Sequence, residues 1–249
     1  MVVLKTGREL EVMKEACRIS AGALNLIGQA IEPGISTGEL DRIAEKYILS
    51  QGGKPNFKNY NGYPATACIS INNEVIHGIP KFSRKIKEGD IVSVDLGASF
   101  EGYNGDNAAT FAVGDISPEA KRLIDTTRES LYEGIKMARA GGRIGDISHA
   151  IQSYVEARGF SVVRQFVGHG IGTKLHEAPE VPNFGNSGRG VRLLPGMTLA
   201  IEPMINIGSH DVKIQPDGWT VLTADGSLSA HFEHTVAITP NGPVIMTSL

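Results

Sequence analysis

Gly89-Asp90-Ile91-Val92-Ser93-Val94-Asp95 and, 107 positions later, Gly196-Met197-Thr198-Leu199-Ala200-Ile201-Glu202 follow one pattern: a glycine, a strand-like apolar run and a carboxylate at its end. The same offset separates Gly34 from Gly141, Gly38 from Gly145 and Tyr47 from Tyr154. Glycine matches alone carry little weight in a chain with 30 glycines among 249 residues. Apolar runs that end in an acid in both copies carry more. The repeat predicts two helix-helix-strand-strand halves packed about a pseudo-two-fold axis. A unit of 107 residues is too long for a solenoid repeat, so one composite domain over 1–249 is expected, with halves at about 1–115 and 116–249.

Ahead of the first strand run, Thr6-Gly7-Arg8-Glu9 reads as a capping box, in which the Thr hydroxyl and Glu carboxylate each satisfy a free backbone N–H. Leu10, Met13, Cys17, Leu24, Ile27 and Ile31 then keep the 3–4 spacing of one long amphipathic helix, stopped by Pro33-Gly34. A second capping box, Ser36 to Glu39, opens a shorter helix ended by Gly52-Gly53. Strands are predicted over Thr66 to Ile71, Ile91 to Leu96 and Ala108 to Val113. The order then restarts. Ser117-Pro118 begins a helix, Gly141-Gly142 ends it, and a shorter helix runs from about Asp146 to Arg158.

Composition excludes several classes. With 24 Lys+Arg against 27 Asp+Glu the net charge is −3, which argues against nucleic-acid or anionic-membrane binding driven by charge. Two cysteines, Cys17 and Cys68, supply neither a disulfide framework nor a Cys-based zinc site. No apolar run approaches the roughly 18 residues a membrane helix needs. Met1 to Glu15 is charged where a signal peptide is apolar. A cytoplasmic protein is expected.

A strand-end acid is ordinarily a cap or half of an ion pair, but a two-fold axis changes the weighing for Asp95 and Glu202. It brings equivalent acids together, and like charges at close range need a cation between them. Asp106 lies 11 residues after Asp95, and Glu233 lies 31 after Glu202, each on a following strand, so each hairpin is expected to present two carboxylates inward. Four carboxylates match two divalent ions, and with one imidazole the set suits Mn, Fe or Co, with Zn also possible. His169, between Gly168 and Gly170, can supply that imidazole. His77, in Val75-Ile76-His77-Gly78-Ile79-Pro80, has similar surroundings. His231 and His234 flank Glu233 without a predicted role, whereas His149 and His210 read as solvated.

Asp95, Asp106, His169, Glu202 and Glu233, in that order, resemble the dinuclear site of the methionine aminopeptidases, whose pita-bread fold is a mixed α/β (α+β) arrangement of two pseudo-symmetric halves around the metals. The resemblance spans nearly the whole chain. It includes Tyr60-Asn61-Gly62-Tyr63-Pro64, Ser70 to Pro80, Asp95-Leu96-Gly97, Gly168-His169-Gly170-Ile171-Gly172 and Ile201-Glu202-Pro203. It implies that Asp106 and Glu233 bridge two metals, with Asp95 on one and His169 and Glu202 on the other. His77 and His176 resemble histidines that contact substrate and steady the tetrahedral intermediate. Tyr60, Tyr63, Cys68 and Trp219, with Phe57 nearby, resemble the pocket for the methionine side chain. Leu175 stands where some members carry an aromatic.

The implied activity is removal of the N-terminal methionine from nascent polypeptides, by metal-activated water attacking the first peptide bond. Glu202 is expected to move the proton, and a small second residue to be favoured. The implied substrate partner is a peptide or nascent-chain N-terminus. The resemblance also raises the ribosome as a partner, and a monomer needing neither nucleic acid nor membrane is expected. X-Pro peptidases of the same fold share a further histidine where this chain has Gln165, and they generally carry a sizeable N-terminal domain. The 31 residues between Glu202 and Glu233 leave no room for the helical insertion of the type II enzymes. The chain therefore resembles the minimal, bacterial-style type I enzymes. A non-catalytic relative that only binds peptides or partner surfaces is disfavoured, because such proteins have lost ligands that are all present here.

Overall fold

The computed structural model describes residues 2–248, so Met1 and Leu249, the ends of the expected domain, lie outside the described residues. Helix α1 (Gly7–Ala30) begins with the predicted capping box. The Thr6 N–H donates to Glu9 Oε2 at 2.7 Å, and the Glu9 N–H donates to the Thr6 hydroxyl at 3.4 Å. Helix α2 (Thr37–Ser50) repeats the device with Ser36 and Glu39. The strands that follow are β1 (Lys54–Pro55), β2 (Ala67–Ile71), β3 (Glu74–Ile76), β4 (Ile91–Phe100) and β5 (Tyr103–Ala112).

β5 starts five residues before the predicted Ala108. Glu101 and Gly102 both have positive φ, 47° and 83°, and close a two-residue hairpin turn that pairs Phe100 with Tyr103. Residues with little intrinsic strand preference, Asn104-Gly105-Asp106, are thereby drawn into the ladder by their partner strand.

The second half opens with α3 (Pro118–Met137) and α4 (Ile144–Glu156). Helix α4 begins two residues before the predicted Asp146. The Asp146 carboxylate reaches back to the Arg143 N–H at 2.8 Å, so Asp146 is a first-turn residue rather than the cap. The remaining strands are β6 (Ser161–Val162), β7 (Gly168–Gly170), β8 (Glu177–Val181), β9 (Thr198–Ile201), β10 (Met204–Asn206), β11 (Val212–Ile214), β12 (Val221–Thr223), β13 (Ser229–His231), β14 (Glu233–Thr239) and β15 (Gly242–Ile245).

The main sheet is antiparallel and runs β1-β4-β5-β14-β9-β7-β8, with β2 also on β4 and β15 also on β14. Strands β9 and β14 are neighbours as expected but not a hairpin. Strands β10 to β13 lie between them in the chain and build two small sheets, β13-β10-β6 and β11-β12-β3.

The offset of 107 recurs in the contacts. The Gly34 N–H donates to Ile86 O at 2.8 Å, and the Gly141 N–H donates to Leu193 O at 2.9 Å. The Thr37 N–H donates to Arg84 O at 3.0 Å, as the Ile144 N–H does to Val191 O. The isolated bridges Ser36 to Lys85 and Arg143 to Arg192 match as well. Each helix pair seals its own half of the sheet. Ile19, Ile27, Leu40 and Ile48 pack with Ile69, Val92, Val94 and Leu96. Leu123, Leu131, Ile147 and Ile151 pack with Leu199, Ile201, Val236 and Ile238. In the main sheet the halves join at β5 against β14, and in a small sheet they join again at β3 against β12.

Candidate active site

Register puts the acids on one face. Residues paired across a sheet share a face, as do residues two apart on a strand. Asp95 pairs with Ala108, and Ala108 pairs on its other side with Glu233, so Asp95 and Glu233 lie in one row. Asp106 is two residues from Ala108 and joins them. Ala200 pairs with both His169 and Thr235, which adds His169 to that face. Glu202, two residues beyond Ala200, continues it. Cys68 pairs with Asp95 and also belongs there. One cavity is lined by all of these side chains together with Phe57, Tyr60, Tyr63, His77, Leu175, His176 and Trp219.

The carboxylates lack the partners that buried acids ordinarily have. Asp106 and Glu233 are 3% and 2% exposed, yet Asp106 Oδ1 and Glu233 Oε1 accept no hydrogen bond, and neither does Asp95 Oδ1. Burial drives Asp106 and Glu233 well above the ordinary carboxylate range, and the neighbouring acids push further the same way. Burial also takes Glu202 up to about 8. It takes Asp95 up to about 7, with His231 pulling down and Glu202 pushing up. Such a cluster holds protons or cations.

The nearby imidazole is oriented for a cation. His169 Nδ1 lies 2.9 Å from the Gly170 carbonyl, and since a carbonyl only accepts, Nδ1 carries the proton. Nε2 is then the bare lone pair, and it sits 3.5 Å from Glu202 Oε1. Burial, then the nearby His176, lower His169 to about 3, so it stays neutral at ordinary pH. One ligand atom from each of Asp106, His169 and Glu233 lies within 4.8 Å of the other two. Asp95 and Glu202 fall outside so tight a group, with Glu202 Oε1 3.5 Å from His169 Nε2. The donor set, four carboxylates, three of them with an orphaned oxygen, and one bare imidazole nitrogen, fits divalent cations of hard to borderline character.

Two further histidines stand at the mouth. His176 Nδ1 is 2.7 Å from the Tyr60 hydroxyl, and its ring centroid is 4.1 Å from that of His169. His77 occupies a left-handed conformation with φ 60° and packs edge-on against Trp219 and Phe166. Burial lowers His77 to about 4. The Tyr63 hydroxyl lies 3.0 Å from the Gly78 carbonyl, tying the pocket wall to the residue after His77. Trp219 meets the Tyr63 ring edge-on at 5.1 Å.

Sequence reasoning left two neighbours without a role. Phe166 carries no motif and comes to His77 only through the fold. His231 and His234 were indistinguishable as flanks of Glu233, and strand geometry separates them. His231 is 1% exposed with Nε2 3.6 Å from Glu202 Oε2. His234 points to the opposite face, its Nδ1 2.8 Å from the Thr247 hydroxyl. His231 ends β13 in a small sheet, and His234 stands on β14 in the main sheet. His149 is exposed, as expected.

Residues 11–240 match the sequence profile of metallopeptidase family M24. The chain is 57% identical over 247 residues to a methionine aminopeptidase of Clostridium perfringens, covering 99% of each chain. It is 54% identical to methionine aminopeptidase 1 of Bacillus subtilis, again over 99% of both. Among solved structures, a methionine aminopeptidase from Thermotoga maritima superposes with a TM-score of 0.99 at 47% identity, covering 100% of both chains.

Proposed function

The chain belongs to metallopeptidase family M24, among its bacterial type I methionine aminopeptidases, and from that premise we infer how its residues remove an N-terminal methionine. It has the pita-bread fold of that family, and it uses divalent metal. No helix among the described residues is long and apolar enough to cross a membrane. The observation that carries the assignment of the site is the single face on which Asp95, Asp106, His169, Glu202 and Glu233 converge, in one cavity with Tyr60, Tyr63, Cys68 and Trp219.

In our reading Asp106 and Glu233 hold two ions in common, Asp95 completes one position, and His169 and Glu202 complete the other. Mn, Fe or Co suit this set best. Bound there, the ions supply positive charge that acidifies water and polarises the first peptide carbonyl. Tyr60, Tyr63, Cys68 and Trp219 take the methionine side chain, whose polarizable sulfur favours aromatic edges. His77 and His176 donate to the oxygen that gains charge as the carbonyl is attacked. Glu202 carries a proton on a carboxylate oxygen from the attacking water to the leaving amine. The centre draws on both halves, about 1–115 and 116–249, so we treat the chain as one catalytic domain. The substrate is a peptide N-terminus. We propose nascent chains as its source, a small second residue as the preference and the cytoplasm as the setting.

Metal-stripped protein reloaded with Mn, Fe or Co and offered Met-Ala-Ser beside Ala-Pro-Ser tests this. Methionine released from the first peptide alone, and lost in Glu233→Ala, is the expected result. Cleavage of the second peptide alone would overturn the pocket assignment. Cleavage of neither, with metal bound, would overturn the reading.

A further inference from the structure

His231 is a buried side chain with an unmet need. It is 1% exposed, and its Nε2 has no hydrogen-bond partner. A buried N–H left unpaired costs roughly 1–3 kcal/mol, so a fold that retains one in this position gains something by it. Among the described residues the only carboxylate within 4 Å of that nitrogen is that of Glu202, whose Oε2 is 3.6 Å away. The other oxygen of the same carboxylate, Oε1, stands 3.5 Å from His169 Nε2. Glu202 therefore stands between two imidazoles, one near each oxygen. The histidine at Oε1 presents a lone pair, because its proton is used on the Gly170 carbonyl. The histidine at Oε2 has no other use for its Nε2.

Backbone contacts fix where His231 stands. Its N–H donates to the Thr110 hydroxyl at 2.9 Å, and that hydroxyl donates in turn to the His231 carbonyl. The residue also pairs with Met204, two positions beyond Glu202. The ring thus arrives at Glu202 from β13, outside the main sheet.

We propose that His231 is a positioning residue: its Nε2–H donates to Glu202 Oε2, fixes the plane of that carboxylate, and leaves Oε1 aimed at the metal position shared with His169. This rests on the ligand reading given above. Outer partners of metal-bound carboxylates and histidines commonly set affinity and geometry by orienting the ligand atom. His231 holds Glu202 and needs no contact with substrate or metal.

The test pairs two substitutions of similar length, His231→Gln, which keeps an N–H donor, and His231→Met, which does not. Calorimetric titration of metal-free protein with cobalt reads both binding steps. In His231→Met one step weakens by about tenfold to a hundredfold while the other holds, and His231→Gln recovers most of the loss. Folded His231→Met with both steps as in the wild type would overturn the proposal. Glu202→Ala serves as the control. If it weakens cobalt binding while His231→Met does not, this proposal alone fails, whereas a silent Glu202→Ala removes the ligand reading itself. A measurement on the zinc-loaded wild-type protein is independent of how the variants fold. Ring ¹⁵N spectra of His231 are expected to show the proton on Nε2, and a bare Nε2 would overturn the proposal.

Discussion

Tyr60 and His176 are joined through the phenolic oxygen and Nδ1, 2.7 Å apart, with their rings tilted at 42°. When the phenol donates, the imidazole proton is left on Nε2, the nitrogen free to serve a developing oxyanion. Tyr60→Phe keeps the ring in the pocket and removes this control. One hydrogen bond of about 1–1.5 kcal/mol corresponds to roughly a tenfold loss in kcat. KM for a methionyl peptide is expected to stay near the wild-type value. Steady-state kinetics check both, and a rise in KM alone would count against a role for His176 in the rate.

Lys5 and Glu177 form an ion pair at 2.6 Å with side chains only 3% and 6% exposed. Glu177 follows His176, so this pair pins the loop that carries it. Lys5→Met leaves the Glu177 charge buried without its cation, at a cost of roughly 3–5 kcal/mol. Thermal melts should show a large fall in Tm for Lys5→Met. Adding Glu177→Gln should recover much of it, because the stranded charge is then gone.

Gly78 has no room for a methyl group. A Cβ there would stand 2.3 Å from the Ile69 carbonyl oxygen, where backbone must yield. The Gly78 carbonyl accepts from the Ile69 N–H at 2.8 Å, so a shift moves His77 beside it. Gly78→Ala is expected to lower kcat/KM by more than tenfold with metal content unchanged, since no proposed ligand lies on that loop. Metal analysis alongside kinetics decides it. Loss of metal would place the damage elsewhere.

The acids also set a pH dependence for the metal-free protein. Burial lifts Glu202 to about 8 and Asp95 to about 7, so the native state keeps protons that the unfolded chain has lost. Stability from such groups is fully present below the ordinary carboxylate range and is lost as pH rises through their native values. The lowered values of His169, about 3, and His77, about 4, and those of His176, His231 and His234 act oppositely, but unfolded histidines are largely neutral above about 7.5. Between about pH 7.5 and 8.5 the acids set the slope, and the buried thiols of Cys17 and Cys68, whose values burial raises, act in the same direction. The denaturation midpoint of chelator-treated protein should fall across that interval, and saturating Mn should remove the fall. A midpoint that climbs with pH would refute the account.

The parts of this molecule written as local patterns were legible in the chain. Thr6 with Glu9 and Ser36 with Glu39 announce their helices, and the strand runs ending at Asp95 and Glu202 announce the repeat. Residues governed by distant partners were not. Asn104 to Asp106 become strand because β4 holds them, and four strands between β9 and β14 are too short to show alternation. His231 and His234 differ by the sheet that takes each. Phe166 meets His77 across 89 positions of chain, with no local signal at either end.

The seam between β5 and β14 bears on how the protein folds. There the Asp106 N–H donates to the Thr235 hydroxyl at 3.0 Å, and that hydroxyl donates back to the Asp106 carbonyl, across 129 positions of chain. Pairings this distant demand loop-closure entropy before they return contact energy, which makes them late and slow. Each half can collect its own helices over its own strands first. The two acids nearest the seam, Asp106 and Glu233, become neighbours only when it closes. Metal capture is thereby tied to a pairing between the halves rather than to either half alone.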